Sequence, residues 1–384
     1  MDKIVIVGAG LSGATIARLF ADSGKDVTVV DKRATIGGNA YDCVDKNGIT
    51  VQPYGPHIFH TNEKSVFDFL SRFTEWNAYE HRVLANLKGK LVPVPFNLTS
   101  LFACFPKAKA ERINKILVDE IGLNKKVPIL QLKKHENAEI RDFAEFVYNN
   151  IFYKYTKKQW KMKPEELGET VMNRVPVYVS YEDRYFTDDF QFMPKKGFTE
   201  MIANMLKHPH IHLKLKTDAE KILSCTDGKI YFDGVEFDGI VIYTGRVEEL
   251  FGYKFGALPY RTLKFKFKTL NRSSFQKAAV VNYTTGKKFT RISEFTKFTC
   301  ERQDKTVIVK EYSKKCAKSD IPYYPVPIES NYALYAKYLE EVSKYKNLYL
   351  LGRLANYKYI NMDVAVLNAM KMFDKIAENG PFGE

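Results

Sequence analysis

The sequence is poor in the features of a secreted, membrane-spanning or serine- or cysteine-hydrolase protein. Five cysteines (Cys43, Cys104, Cys225, Cys300 and Cys316) are scattered through 384 residues, odd in number and without a Cys-x-x-Cys pair. This argues against a disulfide frame or a structural zinc site and fits a reducing, cytoplasmic setting. No apolar run reaches the ~18 residues that span a bilayer, so no membrane insertion is expected. Ile4 to Ile6 follows Asp2 and runs into glycines and Arg18, which reads as a strand entering a glycine turn rather than a signal peptide. No Gly-x-Ser-x-Gly elbow is present and no cysteine has an activating local motif, so the chain offers no convincing nucleophile of its own. No internal repeat or low-complexity linker appears, which points to domains interleaved in the chain rather than strung in series. Acid is also short: 45 Asp+Glu against 59 Lys+Arg leave a formal net charge of +14. The excess admits three readings: solubility, nucleic-acid binding or attraction of a small polyanion.

What is present is ample apolar material, 45% of residues with 24 Tyr and 27 Phe, which excludes a disordered chain. Ile4–Val7 reads as a buried strand, residues 11–23 as a helix stopping at Gly24, and Val27–Val30 as a second strand. Lys/Glu-rich helical patterns dominate from Thr99 to Gln191 and predict a helical insertion. Residues 260–312 alternate with period 2, and Ala278–Tyr283 and Thr306–Glu311 are further β-rich runs, which predicts an antiparallel sheet. His212–Lys216 and Ile240–Thr244 read as strands, with hairpin turns at Asp227-Gly228 and Asp233-Gly234. Leu348–Leu351 is another buried strand leading into a helix from Asp363 to Ala377.

Gly8-Ala9-Gly10-Leu11-Ser12-Gly13 follows the first strand directly and opens the first helix. Such glycines allow a tight turn and close approach of a pyrophosphate, which the free N–H groups of the helix start can bind. Asp31 ends the second strand, where an acid can accept hydrogen bonds from a ribose diol. The alternative is a glycine turn serving only helix–strand packing. Asp31-Lys32-Arg33 then leads into Ile36-Gly37-Gly38-Asn39, which resembles the acid-plus-Gly-Gly extension of flavoproteins of the amine-oxidase and glutathione-reductase type. Arg353, Met362 and Asp363 near the last helix resemble the C-terminal flavin anchor of the same group. Three separated contact segments favour a permanently held FAD over a diffusible NAD.

His57 and His60 stand three apart in the Gly-Pro loop Tyr54–His60 and suit polar contact to a flavin or a sugar; the plainer reading is that they satisfy loop carbonyls. Phe152–Trp160 interleaves aromatics and cations, as for stacking a base and neutralising phosphate, or as a core stripe beside a solvated lysine face. His208-Pro209-His210-Ile211-His212 would place three imidazoles on one strand face, but Pro209 suggests a connector and no metal is expected.

The segments GGNAYD, GPHIFHT, YTKKQW, NRVPV, DRYF, YRTLKF, FTRISE, KEYS, IPYYP and GRLANYKYINMD follow the glycine fingerprint in one order. Together they resemble the UDP-galactopyranose mutase family, bacterial type, from nearly the first residue to the last helix. The resemblance implies an isomerase holding FAD, active in its reduced form, that interconverts UDP-galactopyranose and UDP-galactofuranose for cell-surface polysaccharide. In that family flavin N5 attacks the anomeric carbon, displaces UDP, and the sugar opens and recloses on the flavin. It further implies Tyr155, Trp160 and Phe152 at the uridine, with His81 facing uracil. Arg174 and Arg291 would neutralise the diphosphate from opposite sides, with Tyr185, Tyr324 and Tyr359 as phenolic donors. Asn282 and His60 would lie near the sugar and His57 near the flavin. Arg174 would sit in a mobile substrate loop and approach only when ligand is bound. The cofactor set is Gly8, Gly10, Leu11, Ser12, Gly13, Asp31, Lys32, Gly38, Asn39, His57, Arg353, Met362 and Asp363. Asn361 stands where the family often has Asp, and Gly245-Arg246 replaces a common Gly-Pro.

The expected fold is α/β: a Rossmann-like FAD-binding domain (1–80, 205–255 and 335–384), an inserted helical domain (99–195) with the substrate loop, and an antiparallel β-sheet domain (81–98 and 256–334). Expected partners are the nucleotide sugar, NAD(P)H or another reductant, and a second copy in a homodimer, with no nucleic acid. The alternative function is a flavin oxidoreductase of the amine-oxidase type.

Overall fold

The computed structural model describes residues 3–162, 166–167, 176–299 and 303–379. Arg174 and Cys300 lie outside them. Strands Ile211–Leu215, Asp26–Asp31, Lys3–Val7, Ile240–Tyr243 and Leu348–Leu350 form, in that order, a five-stranded sheet, parallel throughout. Both faces of the central strands are buried, which is why Ile4–Val7 and Ile240–Tyr243 read as unbroken apolar runs, whereas the edge strand Ile211–Leu215 keeps His212, Leu213 and Lys214 exposed. Ile4, Ile6, Val27 and Ile242 face the main core, where the helix Leu11–Asp22 packs on the helix Met362–Asn379. Val5, Val7, Val241 and Tyr243 face a second cluster under the small sheet Leu223–Thr226, Lys229–Phe232 and Val235–Glu236. Asp227-Gly228 and Asp233-Gly234 turn that meander with positive φ at both residues of each pair, as type I′ hairpins require.

A seven-stranded sheet runs Tyr324–Pro325, Tyr260–Leu270, Thr306–Lys315, Arg291–Glu294, Val280–Tyr283, Val83–Leu87 and Lys90–Val94. It is antiparallel except where Val280–Tyr283 runs parallel to Val83–Leu87, a pairing that joins the two parts of the chain. Within residues 260–312 every pairing is antiparallel, as expected, and the one parallel pairing is to Val83–Leu87 outside that stretch. Period 2 reports which face a residue takes, not the direction of its neighbour.

Within the stretch expected to be helical, helices Leu98–Cys104, Lys107–Glu120, Ile129–Leu132 and Ala138–Val147 are followed by a π-helical turn, Tyr148–Tyr153, and the helix Lys154–Trp160. Asn97 and Asn137 cap two of these, accepting from the N–H groups of Ser100 (2.9 Å) and Glu139 (2.8 Å). The same stretch also holds strands. Lys125–Val127 pairs with Val177–Val179, and Phe190–Pro194 lies between Phe59–Thr61 and Trp76–Ala78. Val127, Val177 and Val179 are buried β-branched residues whose partners lie far off in sequence, so no local period reveals them. Only His212 of the histidine trio sits on a strand. It and His210 lie 3.9 and 2.8 Å from Asp26, while His208 faces Asp22 at 3.8 Å. No helix among the described residues is long and apolar enough to cross a membrane.

Candidate active site

Two adjoining cavities share four lining residues. The first, about 250 Å3, sits at the carboxyl ends of the parallel strands, at the turn after Lys3–Val7. The Gly8 N–H donates to the Val30 carbonyl (2.7 Å), and Thr244 closes the turn from the next strand by donating its N–H and Oγ1 to the Val7 carbonyl (3.0 and 2.6 Å). A Cβ on Gly13 would lie 1.9 Å from the Gly8 carbonyl oxygen, so only glycine lets the helix start this close to the turn. No side chain caps that helix, and Leu11, Ser12 and Gly13 line the cavity together with Gly8 and Gly10. The arrangement presents free amides and a positive dipole end to an anion. The second glycine pair folds over the first: the Gly37 N–H donates to the Ala9 carbonyl (2.8 Å), and Gly38 and Asn39 join the lining.

Asp31 accepts the Ala9 and Arg33 N–H groups, one on each oxygen, both at 2.8 Å, and still has lone pairs for a further donor. Lys32 lines the edge, 3.4 Å from Glu249. Glu249 also pairs with Arg246, which accounts for the cation at that position: it is buried, ion-paired and donates to the Lys318 carbonyl (3.1 Å). Arg33, not singled out from sequence, lies over the Tyr54 ring and donates Nη2 to Asn39 (2.9 Å), while its Nη1 is buried with no partner. That unmet donor and the uncapped helix are demands that a bound dinucleotide satisfies. From the C-terminal side, Arg353 and Met362 line the cavity. Asp363 does not, and its Oδ1 is buried without a partner; one residue past Met362, the helix has turned its side chain by about 100°.

The second cavity is larger, about 650 Å3, and is lined by side chains rather than backbone. Its rim takes Asn282 and Arg291 from neighbouring strands, directly opposite each other in register. Arg291 donates Nε to Glu311 at 2.7 Å, and Glu311 is 2% exposed. Burial works against the charge on Arg291, but Glu311 more than compensates and raises its pKa above the usual arginine value. Tyr155 and Tyr324 stand near enough to Arg291 to feel its charge, yet burial raises both phenol pKa values, so they remain donors. Trp160 ends its helix at Lys161, which has a left-handed φ of 58°, and its ring lies 6.2 Å from that of Tyr324. Tyr324 in turn faces Tyr359 at 5.4 Å, and Arg353 lies over the Tyr359 ring at 4.6 Å. Phe152, in the π-helical turn, and Tyr185 complete the aromatic wall.

The histidines occupy distinct environments. His57 shares its Nδ1 with the Gly55 carbonyl at 2.9 Å, which fixes the proton there and leaves Nε2 as an acceptor. Burial, then the Arg353 charge, push its pKa down to about 4, so it is neutral at ordinary pH. Gly55 has φ 93° and its Cα faces the Phe265 ring, where a Cβ would come within 2.9 Å; the loop carrying His57 thus rests on the seven-stranded sheet. His60 holds Asp188 at 2.9 Å and stacks on Phe186 at 3.5 Å. His81, 4% exposed, touches Tyr79 and Phe186, and burial followed by Arg291 lowers its pKa to about 3. Of the residues expected at the substrate, Phe152, Tyr155, Trp160, Tyr185, Asn282, Arg291, Tyr324, Tyr359, His60 and His81 line this second cavity, and Arg174 lies outside the described residues. His57, Arg353, Asn361 and Met362 line both cavities and form the seam between them. Glu311, Phe186 and Asp188 were missed from sequence. Two of them stand inside quoted motifs, KEYS and DRYF, but a role that acts through a neighbour leaves no local pattern.

A family model described as UDP-galactopyranose mutase matches residues 150–359, and one described as an NAD(P)-binding Rossmann-like domain matches residues 6–73. The chain is 36% identical to a dTDP-fucopyranose mutase of Escherichia coli over 97% of each chain. It is also 36% identical to a probable UDP-galactopyranose mutase of Klebsiella pneumoniae, over 97% of this chain and 94% of the relative. Among solved structures it is similar to a reduced UDP-galactopyranose mutase, with TM-score 0.72, 17% identity, and coverage of 98% of this chain and 94% of the other.

Proposed function

This chain belongs to the UDP-galactopyranose mutase family, and from that premise we propose that it interconverts UDP-galactopyranose and UDP-galactofuranose on a tightly held FAD. The observation that carries the reading is the seam: a cavity fitted to a dinucleotide meets, at His57 and Arg353, a cavity built around Arg291 and phenols. FAD would be held by Gly8, Gly10, Gly13, Gly38, Asp31 and Arg33 at one end and by His57, Arg353 and Met362 at the other. When bound and reduced, it supplies the nucleophile for the anomeric carbon that the protein itself lacks, with no net redox change.

The side chains have the remaining work. Departure of UDP concentrates negative charge on the β-phosphate. Arg291, pre-aimed by Glu311, stabilises that charge, with phenolic hydrogen bonds from Tyr185, Tyr324 and Tyr359. Arg174 is proposed as the second guanidinium. Trp160 and Phe152 present apolar faces to the uridine, and Asn282 and His60 offer polar contacts to the sugar hydroxyls. His57 keeps its proton on Nδ1 and turns an acceptor, not a cation, toward the seam. The same reading carries an NAD(P)H-type reductant, a homodimer, a cytoplasmic location and supply of galactofuranose for polysaccharide.

Dithionite-reduced protein should convert UDP-galactofuranose to UDP-galactopyranose, followed by chromatography, and oxidised protein should not. The E. coli relative makes dTDP-fucopyranose the natural competitor in the same assay. Conversion of that sugar alone would move the substrate assignment, and a colourless protein that takes up no FAD would sink the whole reading. Oxygen consumption with an amine and no isomerisation would restore the oxidoreductase alternative.

A further inference from the structure

The excess of positive charge is not spread evenly. Residues 261–320 hold 16 Lys and Arg against 5 Asp and Glu, a net +11 of the chain's +14. Four strands of the seven-stranded sheet lie in this segment, and their register sorts the charges they carry by face. Asn282, Arg291, Glu311 and Phe265 are directly opposite one another across four strands and share the face of the second cavity. The next row, Val281, Ile292, Lys310 and Lys266, therefore points to the other side. Lys264, Lys268 and Lys314 fall on that same far face by alternation, and Lys264, Lys266 and Lys268 are exposed. Lys314 pairs with Asp320, but Lys264, Lys266, Lys268 and Lys310 have no carboxylate partner among the described residues.

A far-face position makes these lysines poor guides for a substrate entering the cavity. Their pattern also fits nucleic acid badly. The aromatic rings beside them are covered: Lys266 lies over Tyr312 (5.5 Å) and Lys310 over Phe289 (5.3 Å), so neither ring offers an open face to a base. The rest of that face is covered, Ile292 and Ile308 lying under Phe289 and Phe275, so the exposed ammonium groups form a strip along Tyr260–Leu270 that complements a diffuse anionic surface. We propose that this lysine strip docks on the headgroups of an anionic lipid bilayer, as a peripheral contact without insertion. The proposal is independent of the mutase reading.

The test is co-sedimentation of the full chain with phosphatidylcholine vesicles with and without phosphatidylglycerol, at roughly 0.1 M salt, where charge acts over about 10 Å. Binding is expected only to the anionic vesicles. The combined variant Lys264→Gln, Lys266→Gln, Lys268→Gln should weaken it on the order of a hundredfold while leaving turnover of soluble substrate unchanged. A control of equal net charge, Lys64→Gln, Lys107→Gln, Lys196→Gln, changes exposed lysines elsewhere and should bind like wild type. No binding to anionic vesicles would overturn the proposal, and so would equal losses in both triple variants. Binding of a single-stranded oligonucleotide that is lost in the first variant, with no vesicle binding, would assign the face to nucleic acid instead.

Discussion

The two cavities are built from opposite materials. The first is shaped by main chain: glycines whose missing side chains make room, and amides at an uncapped helix start. The second is shaped by side chains that the backbone only aims, namely a buried ion pair, phenols, an indole and three imidazoles in different settings. Backbone sites tolerate little change of residue size but hold a ligand by many interchangeable amides. Side-chain sites tolerate local repacking yet concentrate their effect in one or two groups. Variants should therefore separate cofactor retention from turnover.

The largest effect is expected at Gly13→Ala, which drives a Cβ into the Gly8 carbonyl. It should cost about 1–3 kcal/mol in overpacking and abolish flavin retention, and with it all turnover. Normal flavin content in that variant would break the contrast. Arg291→Ala should lower turnover roughly 10²–10³-fold with flavin content, read from absorbance, unchanged. If flavin is lost with it, the assignment of Arg291 to the diphosphate fails. Glu311→Gln keeps an acceptor but removes the charge that orients Arg291. A loss of roughly tenfold in turnover is expected, with flavin again retained.

His81 sharpens the comparison through pH. Its folded-state pKa lies at about 3, below the unperturbed 6.5, so the unfolded chain takes up the proton first as pH drops. Its contribution to stability is full above about pH 6.5 and is lost as pH falls toward 3. The melting temperature of wild type should fall by roughly 5 °C between about pH 7 and pH 4.5. His81→Asn should fall less; parallel curves would remove His81 from the account. The smallest effect is expected at Lys32→Ala, an exposed partner of Glu249 at the cavity edge, where flavin affinity should change less than about twofold.

The same contrast explains what the sequence revealed. Gly8 to Gly13, Gly37 and Gly38 form a compact pattern because one turn and one close approach dictate them. Asn282, Arg291, Tyr324 and Tyr359 come together only through long-range pairing, so they became legible through the order of many motifs and not through any spacing. Glu311 stayed hidden because it acts through Arg291, and Arg33 because its demand is an unmatched hydrogen visible only in three dimensions. The strands at Lys125–Val127 and Val177–Val179 were masked by the helical texture around them.

The row Asn282, Arg291, Glu311, Phe265 and the lysine row beside it obey a single parity bit. Odd and even positions along Tyr260–Leu270 and Thr306–Lys315 decide which chemistry faces the second cavity and which faces away from it. Inserting or deleting one residue within either strand would exchange the two programmes wholesale, setting lysines in the cavity and Glu311 in solvent. A two-residue change would preserve the assignment and merely displace it along the strand. Length variation in these two strands is thus constrained to come in pairs or as a bulge, a rule that individual side chains do not display.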